Sequence, residues 1–346
     1  MTRRPAILAV DGGGSKVDAA ILGRDGTLLG VSRVRLADVH DAPDNGERLA
    51  FHHLAPVQHA IETAARRAGI TSDRLPLTDL GVFCLAGADY PSDERRLKRW
   101  LRERGWTAND LLRNDTFAVL RAGTDRPWGV GVVCGSGINC SGIAPDGRVA
   151  RFPALGPISG DWGGGSEIGG LGAWHAMRAG DGRGPKTSLT RSIPAHFGLR
   201  RPEQLTRALH TGQIDERRLG ELVPLVFAEA VAGDAVARSV TDRLADEIVA
   251  MATAIVRRLR MSRLDVEIVL GGGIFRNDDP VFFTRIEAGL AAVAPSSTVH
   301  VLTAPPVIGA ALIGLDQMNA GRAAQDRARA ALTHRRLADH TSRRKE

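Results

Sequence analysis

The chain opens with short apolar runs that are separated by glycines and charged turns. An apolar run over 6–10 stops at Asp11, and three glycines lead into a second apolar segment over 17–22. An Arg-Asp-Gly turn at 24–26 precedes a third segment over 27–36. Short apolar runs divided by turn residues are typical of strands. The opening therefore predicts a meander of three strands.

Helical and strand patterns alternate in the next part of the chain. Apolar residues recur near helical spacing over 47–68, and a buried strand follows over 80–87. A basic helix around 92–104 precedes another strand, which ends at Asn114-Asp115. This β-β-β-α-β-α-β order makes up half of an α/β domain.

A second round of the same pattern follows. A strand enters a glycine turn at 134–137, and a second strand, a Pro-Asp-Gly turn at 145–147 and a third strand come next. The repeat predicts two domains of related topology, 1–115 and 116–318, with a C-terminal helix over 319–346 that packs back on the first. No low-complexity linker separates them, which implies a hinge.

The rest of the second half combines a glycine-rich loop with helices. The loop covers 156–170, and two helices within 215–262 are joined at Ala232-Gly233-Asp234. The expected closing elements are a strand that stops at Gly271-Gly272-Gly273, a helix over 284–293, a strand over 297–304 and a helix over about 306–318. The fold class expected for the whole chain is α/β.

Length and composition favour a globular protein of about two domains. Of the 346 residues, 43% are apolar and 25% charged, as is ordinary for soluble proteins. No window approaches the roughly 18 apolar residues of a membrane span, and the first apolar run is too short for a signal peptide. We therefore expect a cytoplasmic protein without a membrane partner. Cys84, Cys134 and Cys140 lack metal-type spacing and are expected to be buried free thiols.

The positive charge of the chain is concentrated at its C-terminus. The net charge is +7, and residues 322–346 carry eight Arg or Lys and three acids, which leaves about +2 elsewhere. The tail has no interleaved aromatic residues and follows no nucleic-acid-binding motif. We expect a solvated basic terminus and no nucleic-acid partner.

Three apolar strands end in glycine runs, at 12–14, 135–137 and 271–273. Glycine lets the backbone approach a ligand closely, and successive N–H groups in such turns bind anions. One such turn also fits an ordinary hairpin, but three at strand ends favour a phosphate site. The turns match neither a Walker loop nor the dinucleotide fingerprint that opens a helix.

Three acids, Asp11, Asp115 and Asp161, stand at strand or loop ends. Each alone would be interpreted as a turn-capping aspartate. Together they suit phosphoryl transfer from ATP to an alcohol, which needs a carboxylate to accept the hydroxyl proton and a group to hold Mg²⁺, usually through water. Backbone N–H groups and the metal then stabilise the charge on the transferring group.

In these motifs the chain resembles the superfamily of sugar kinases, heat-shock ATPases and actin, and specifically the N-acetylglucosamine kinase and BadF/BadG ATPase-like family. The resemblance covers 5–318 and rests on DGGGSK, RNDT, GSGIN, ALGPISGDWGGGSEIG and LGGGIF in this order. It implies two ribonuclease-H-like (actin-like ATPase) domains with an interdomain cleft, and a homodimer. It also implies an ATP- and Mg²⁺-dependent kinase for the 6-OH of N-acetylglucosamine or a related hexosamine.

The resemblance also implies roles for single residues. Asp115 is the implied general base, and Asp11 is implied to hold Mg²⁺ through water. The implied phosphate contacts are Gly13, Gly14, Ser15, Lys16, Gly135, Ser136 and Gly137. The implied adenosine contacts are Gly271, Gly272 and Gly273. The implied sugar contacts are Asn114, Asp115, Asn139, Gly156 and Asp161.

The sequence departs from the family pattern in two places. Ile138 stands where the family often has a small polar residue, and the segment after the first meander has no convincing match to the family's sugar-gripping loop. Asp38, His40 or Asn45 could substitute there, although each also fits an ordinary loop residue. The identity of the sugar therefore stays open.

Three histidines, one tryptophan and one threonine are further candidates for a functional or structural role. His52, His53 and His59 lack a metal-binding pattern and are expected at the surface. Trp162 either stacks on a sugar face or packs between the domains. Thr116 is expected to cap the helix that follows Asp115.

Two other functions fit part of the pattern. A BadF-type activator would use ATP hydrolysis to drive electron transfer from an iron–sulfur cluster, and Cys134 and Cys140 flank the second turn. The chain lacks the GGQD motif and the cysteine-bearing loop expected of that class. A non-catalytic sugar sensor would carry an added helix-turn-helix domain, which is not expected because the first strand begins near residue 6, and it would not need Asp115.

Overall fold

The computed structural model describes residues 5–38, 54–71 and 75–339. Two halves are each built on a five-stranded mixed sheet with helices packed against it. His40, Asn45, His52 and His53 lie outside the described residues, so the structure does not test their expected roles.

The first sheet has the strand order β3-β2-β1-β4-β5. Its strands are β1 Ile7–Gly12, β2 Lys16–Leu22, β3 Leu28–Arg35, β4 Thr78–Leu85 and β5 Thr107–Arg113. The first three strands pair antiparallel, whereas β4 runs parallel to β1 and β5 parallel to β4. The carboxyl ends of β1, β4 and β5 therefore meet at one edge, where ligands bind in open α/β sheets.

The second sheet repeats this topology with the order β8-β7-β6-β9-β10. Its strands are β6 Gly129–Cys134, β7 Ile138–Ile143, β8 Val149–Arg151, β9 Glu267–Gly271 and β10 Thr298–Val301. Again a three-strand meander is followed by strands that run parallel to its first strand. The repeat predicted from the two strand–glycine turn–strand units is confirmed.

The helices cover the faces of both sheets. They are α1 Leu54–Arg67, α2 Pro91–Arg104, α3 Asp115–Gly123, α4 Gly165–Gly180, α5 Leu189–His196, α6 Pro202–His210, α7 Val223–Val231, α8 Ala235–Arg258, α9 Pro280–Ala291, α10 Val307–Gln317, α11 Arg322–Ala331 and α12 His334–Asp339. Short 3₁₀ turns occur at Leu36–Asp38, Gly156–Ser159, Glu216–Leu222 and Ile274–Arg276. None of the helices in the described ranges is long and apolar enough to cross a membrane.

Two expectations about these helices can be checked directly. The predicted junction at Ala232-Gly233-Asp234 is confirmed, because Asp234 caps α8 by accepting hydrogen bonds from the backbone of Val236 and Ala237. The loop predicted over 156–170 is too long, since α4 already begins at Gly165. The helix begins early because the N–H groups of its first residues, Gly165 and Ser166, donate hydrogen bonds to the second glycine turn.

α10 packs on the first sheet, although the predicted boundary at 318 assigns it to the second domain. Its Ile308, Ala311 and Leu315 share one buried cluster with Ile7 and Ala9 of β1. Burial of apolar side chains stabilises a helix on the sheet that it covers. The packing therefore favours grouping α10 with the first half.

The basic C-terminal segment packs on the first half up to residue 339, in two helices where one was expected, so the expectation of a solvated tail is wrong for these residues. Leu332 and Leu337 are buried against the first half. Arg329 donates hydrogen bonds to the Ala122 carbonyl at 2.8 Å and to Asp125 at 3.0 Å. Leu332, at the end of α11, and Leu337, in α12, anchor these helices, and residues 340–346 lie outside the described part.

A buried ion pair joins β2 to β3 beside the first glycine turn. Asp18 has no exposed surface and accepts hydrogen bonds from Nε and Nη2 of Arg33 at 2.6 and 2.7 Å. Removing one partner of such a pair leaves a buried charge uncompensated. Lys16 Nζ, 3.9 Å from Asp18, would compensate only in part.

We expect Arg33→Ala to lower the free energy of unfolding by about 3 kcal/mol. Urea unfolding at pH 7 measures the change. The matched control is Arg99→Ala, at an exposed position of α2, for which a change within about 0.5 kcal/mol is expected. Equal effects of the two substitutions would contradict the role given to the pair.

Candidate active site

A cavity of about 640 Å³ lies between the two halves. Both meander turns, the segment before α4 and the residues after β9 contribute to its wall. The wall residues that the sequence singled out are Asp11, Gly13, Gly14, Ser15, Lys16, Asp115, Gly135, Ser136, Gly137, Asn139, Gly156, Asp161, Gly272 and Gly273. Residues distant in sequence are therefore brought to one cavity, and their chemical roles remain predictions.

The two meander turns lie against each other across this cavity. A Cβ atom added to Gly14 would lie 3.2 Å from Cβ of Ser136, a separation that leaves no room for a larger residue without a shift. The first turn is closed by a hydrogen bond from Gly13 N to Lys16 O at 3.1 Å. The second is held by Gly165 N, which donates to Gly135 O at 2.7 Å. Backbone N–H groups from both halves can thus reach one anionic ligand.

Asp11 stands where β1 enters the first turn and is almost fully buried. Burial, and then the charges of Asp18 and Asp115, raise the pKa of this carboxyl well above its ordinary value. Nothing in the described ranges donates a hydrogen bond to it. A cation beside Asp11 would relieve this electrostatic cost, so the position suits a metal ion better than an anion.

Three cations, Lys16, Arg33 and Arg276, lie near the first turn. Burial lowers the pKa of Lys16, and the charges of Arg33 and Arg276 act in the same direction, whereas the charges of Asp18 and Asp11 oppose the shift. Arg276 lines the cavity and has no ion-pair partner among residues 5–38, 54–71 and 75–339. A ligand that carries several negative charges would compensate this positive potential.

Asp115 is the first residue of α3, at the end of β5. Its Oδ1 is buried without a hydrogen-bond partner in the described structure. Burial raises the pKa of the carboxyl to about 7, although the backbone N–H groups of Thr116 and of Asp115 itself counteract the shift. A carboxyl with this pKa can accept a proton near neutral pH.

Asn114, and not Thr116, is the N-cap of α3. Its side-chain Oδ1 accepts hydrogen bonds from N and Oγ1 of Thr116 at 3.1 and 2.7 Å. The predicted cap at Thr116 is therefore wrong, because the helix begins at Asp115. Thr116 instead shares a hydrogen bond with Ser141 of β7, so α3 is tied to the second sheet. These bonds fix the residue that precedes Asp115.

Two further predicted sugar contacts lie on the second half. Asn139 follows the second turn, and its Nδ2 lies 3.4 Å from Asn114 Oδ1. Asp161 is buried, its N–H donates to Gly156 O at 3.1 Å, and its carboxylate accepts a hydrogen bond from Ser159. The loop before α4 is therefore organised internally and presents a carboxylate and a glycine to the cavity.

Two predicted residues and Trp162 do not line the cavity. Gly271 faces Val119 of α3, and a Cβ atom there would lie 2.6 Å from Val119 Cγ1. Asn114 is buried, and its side chain caps α3. The Trp162 ring lies 3.9 Å from the guanidinium of Arg243 on α8 and packs against the core of the second half, so it fits neither predicted role.

Sequence reasoning missed several wall residues. Asp89 and Arg276 follow β4 and β9, as Asp115 follows β5, so the position after a parallel strand was an available signal. Glu167 lies in the first turn of α4, inside the stretch expected to be a loop. His334 comes from α12, and no local motif marks it.

The cysteines and histidines form no second site in the described structure. All three cysteines are free and buried, as predicted, and burial raises the pKa of the Cys134 thiol to about 12. His59 is half-buried on α1. Within the described ranges no group of three or more His, Cys, Asp or Glu side chains could hold a metal ion. A metal at Asp11 would therefore need ligands from water or substrate.

The model of the BadF/BadG/BcrA/BcrD ATPase family matches residues 8–314. The chain belongs to this family. The predicted family and the predicted actin-like ATPase fold, with its two α/β halves, are both confirmed.

Two relatives of the chain are named as sugar kinases. The chain is 26% identical over 318 residues to the N-acetyl-D-glucosamine kinase of Dictyostelium discoideum, covering 89% of this chain and 97% of that protein. It is 26% identical over 272 residues to the N-acetylmuramic acid/N-acetylglucosamine kinase of Clostridium acetobutylicum, covering 78% of this chain and 86% of the other.

A solved structure shares the fold. The crystal structure of a provisionally assigned N-acetylglucosamine kinase from Chromobacterium violaceum superposes with a TM-score of 0.66 at 22% identity. The match covers 90% of this chain and 99% of the other. At this identity the similarity establishes the fold and not the chemistry of the cavity.

Proposed function

We propose that this protein is an ATP-dependent amino-sugar kinase that phosphorylates the 6-OH of N-acetylglucosamine or a related hexosamine. The observation that carries the proposal is the position of Asp115 in the cavity where turns from both halves meet. The relatives named as N-acetylglucosamine kinases support the class of sugar.

The phosphates of ATP would lie between the two turns. N–H groups of Gly14, Ser15 and Ser136 would donate to phosphate oxygens, and Lys16 would add a positive charge. Gly13 would shape the turn, because its own N–H is bonded to Lys16 O. Gly272 and Gly273 would lie beside the adenosine. Mg²⁺, held by Asp11 through water, would supply neutralising charge to the phosphate oxygens.

Asp115 would orient the sugar hydroxyl and accept its proton. The hydroxyl oxygen forms a bond to the γ-phosphorus, the bond from this phosphorus to the bridging oxygen breaks, and ADP leaves. The proton passes to the Asp115 carboxylate. Because the proton leaves late in a loose transition state, the placement of Asp115 matters more than its basicity.

The sugar would be held by groups of both halves. Asn139, Gly156 and Asp161 lie on the second half and Asp115 on the first. Closure of the halves around the sugar would exclude water that could otherwise accept the phosphoryl group. Binding of the sugar is therefore expected to suppress ATP hydrolysis.

Two alternatives are less well supported. An activator that shares an iron–sulfur cluster between subunits needs accessible cysteines, and Cys84, Cys134 and Cys140 each have no exposed surface. A non-catalytic sensor would not require a buried carboxyl with a raised pKa at the meeting point of two glycine turns. The homodimer stays a prediction.

An ADP-release screen tests the proposal. Hexoses, hexosamines, N-acetylhexosamines and N-acetylmuramate are offered with ATP and Mg²⁺ at pH 8. We expect sugar-dependent ADP release that is strongest with an N-acetylhexosamine. Release at one rate with every sugar and with none would contradict a sugar kinase.

The pH dependence follows from the Asp115 pKa of about 7. The carboxyl must be ionised to accept a proton, so activity requires pH values above this pKa. We expect kcat/KM for the sugar, measured at saturating MgATP, to rise about tenfold per unit below pH 6 and to level off above pH 8. A profile that is flat from pH 5 to 8 would argue against Asp115 as the base.

A further inference from the structure

Asp89 is a carboxylate in the cavity wall to which the motifs assign no role. It follows β4, lines the cavity and is buried. Since β1, β4 and β5 are parallel neighbours, the acids that end or follow them come to one edge of the sheet. Asp89 therefore belongs to the same end of the cavity as Asp11 and Asp115.

Asp89 holds two asparagines, of which Asn139 is proposed to contact the sugar and Asn114 directly precedes Asp115. Asp89 Oδ1 accepts hydrogen bonds from Asn114 Nδ2 at 2.8 Å and from Asn139 Nδ2 at 3.4 Å. Asn114 belongs to the first half and Asn139 to the second, so Asp89 links the halves. In the described part of the chain Oδ2 has no hydrogen-bond donor. A carboxylate can accept about four hydrogen bonds, which leaves capacity for a ligand.

The charges around Asp89 indicate what such a ligand must be. Burial, and then the charges of Asp115 and Asp93, raise the pKa of Asp89 to about 7, whereas Arg151 lowers it. Arg151 is itself engaged, by an ion pair with Glu94 at 2.7 Å. A phosphate would be repelled by the neighbouring acids, whereas a neutral hydroxyl can donate a hydrogen bond to Oδ2.

We infer that Asp89 is a sugar-binding residue, whose Oδ2 accepts a hydrogen bond from a sugar hydroxyl other than the phosphorylated one while Oδ1 holds Asn114 and Asn139. The inference rests on the proposed function. It predicts that Asp89 contributes to sugar affinity and not to ATP affinity. It also predicts that the sugar binds a residue that is hydrogen-bonded to both halves.

Asp89→Asn is the most direct test. Its side-chain oxygen can still accept from Asn114, so the internal bond is kept while the charged acceptor is lost. We expect KM for the sugar to rise about tenfold or more and KM for ATP to stay unchanged. Asp89→Glu, which keeps the charge, is expected to retain more sugar affinity than Asp89→Asn.

Asp93→Asn is the matched control, because it removes a neighbouring negative charge outside the cavity wall. Its sugar KM should stay at the wild-type value. Circular dichroism and ADP binding of Asp89→Asn establish that the fold and the nucleotide site are kept.

Deoxy analogues of the best sugar identify the hydroxyl. For the wild type, one analogue should lose about tenfold or more in kcat/KM, and in Asp89→Asn this penalty should largely disappear, because the partner is gone. Wild-type sugar KM and unchanged penalties in Asp89→Asn would overturn the inference and leave the proposed function intact. Wild-type protein without sugar-dependent turnover would overturn both.

Discussion

Asp115→Asn is expected to lower kcat for sugar phosphorylation by about 10²–10⁴-fold and to leave ATP affinity nearly unchanged. The carboxylate lies in the cavity but belongs to neither glycine turn, so phosphate contacts survive the substitution. Asparagine cannot accept the hydroxyl proton. Single-turnover rates and nucleotide titration separate the two effects.

The same substitution has an opposite effect on stability. The folded-state pKa of Asp115 is about 7, above its ordinary value of 3.8, so the ionised carboxyl opposes folding. This cost is absent below pH 3.8, grows as the unfolded chain ionises, and is complete above pH 7. Asp115→Asn should therefore raise the free energy of unfolding at pH 8, by an amount on the order of a few kcal/mol.

Asp146→Asn is the control for this experiment, because Asp146 is an exposed carboxylate in the turn between β7 and β8. It should leave kcat unchanged, and because its ion pair with Arg148 is exposed to solvent, it should leave the free energy of unfolding nearly unchanged. Full turnover by Asp115→Asn would exclude Asp115 as the base. Reduced stability at pH 8 would contradict the electrostatic description of the site.

Asp11→Asn is expected to reduce phosphoryl transfer by about 10²-fold or more, since charge stabilisation by a metal is worth several kcal/mol. The reduction should be smallest at high Mg²⁺ concentration, because the variant loses a charge that attracts the ion. Rates measured across a Mg²⁺ titration give the apparent Mg²⁺ affinity. Chelation with excess EDTA should abolish the wild-type activity.

The outcome of this titration distinguishes two roles for Asp11. A metal-holding residue shifts the apparent Mg²⁺ affinity, whereas a residue that only shapes the turn lowers kcat at every concentration. The fold should survive, because removing the charge relieves the repulsion that Asp18 and Asp115 exert on Asp11. An unchanged Mg²⁺ dependence would contradict the proposed role.

The strands and glycine turns could be predicted because their signals are local. Apolar runs of strand length end in glycines at Gly12 and Gly135, and each hairpin is encoded by adjacent residues. Repetition of this pattern also gave the second sheet. The strand-end position of Asp115 follows from the same local reasoning.

The parts that could not be predicted depend on packing between distant segments. His334 reaches the cavity because Leu332 and Leu337 anchor the C-terminal helices to the first sheet. The many charged residues of the tail predict exposure to solvent, and the two leucines alone do not indicate a buried helix. Trp162 was expected near the sugar or between the domains because it lies in the predicted sugar loop. Its contact with Arg243, which is distant in sequence, could not be predicted from that position.

The cap of α3 and the position of Asp89 in the cavity wall were not predicted because the local sequence allows more than one interpretation. Asn114 and Thr116 are both good capping residues, and only the place where β5 ends decides between them. Asp89 follows a strand as Asp115 does, but a single aspartate before a tyrosine and a proline is also an ordinary loop. The bonds to Asn114 and Asn139 distinguish these cases.

The fate of the γ-phosphate tests the central claim most directly. ATP with an isotopic label on this group is incubated with the protein, Mg²⁺ and N-acetylglucosamine or the best sugar of the screen, and the labelled products are separated. The account predicts label in a sugar phosphate, in equal amount to ADP, with at least about 10²-fold less formed by Asp115→Asn in the same time. Label that appears only as inorganic phosphate, whatever sugar is present, would contradict it.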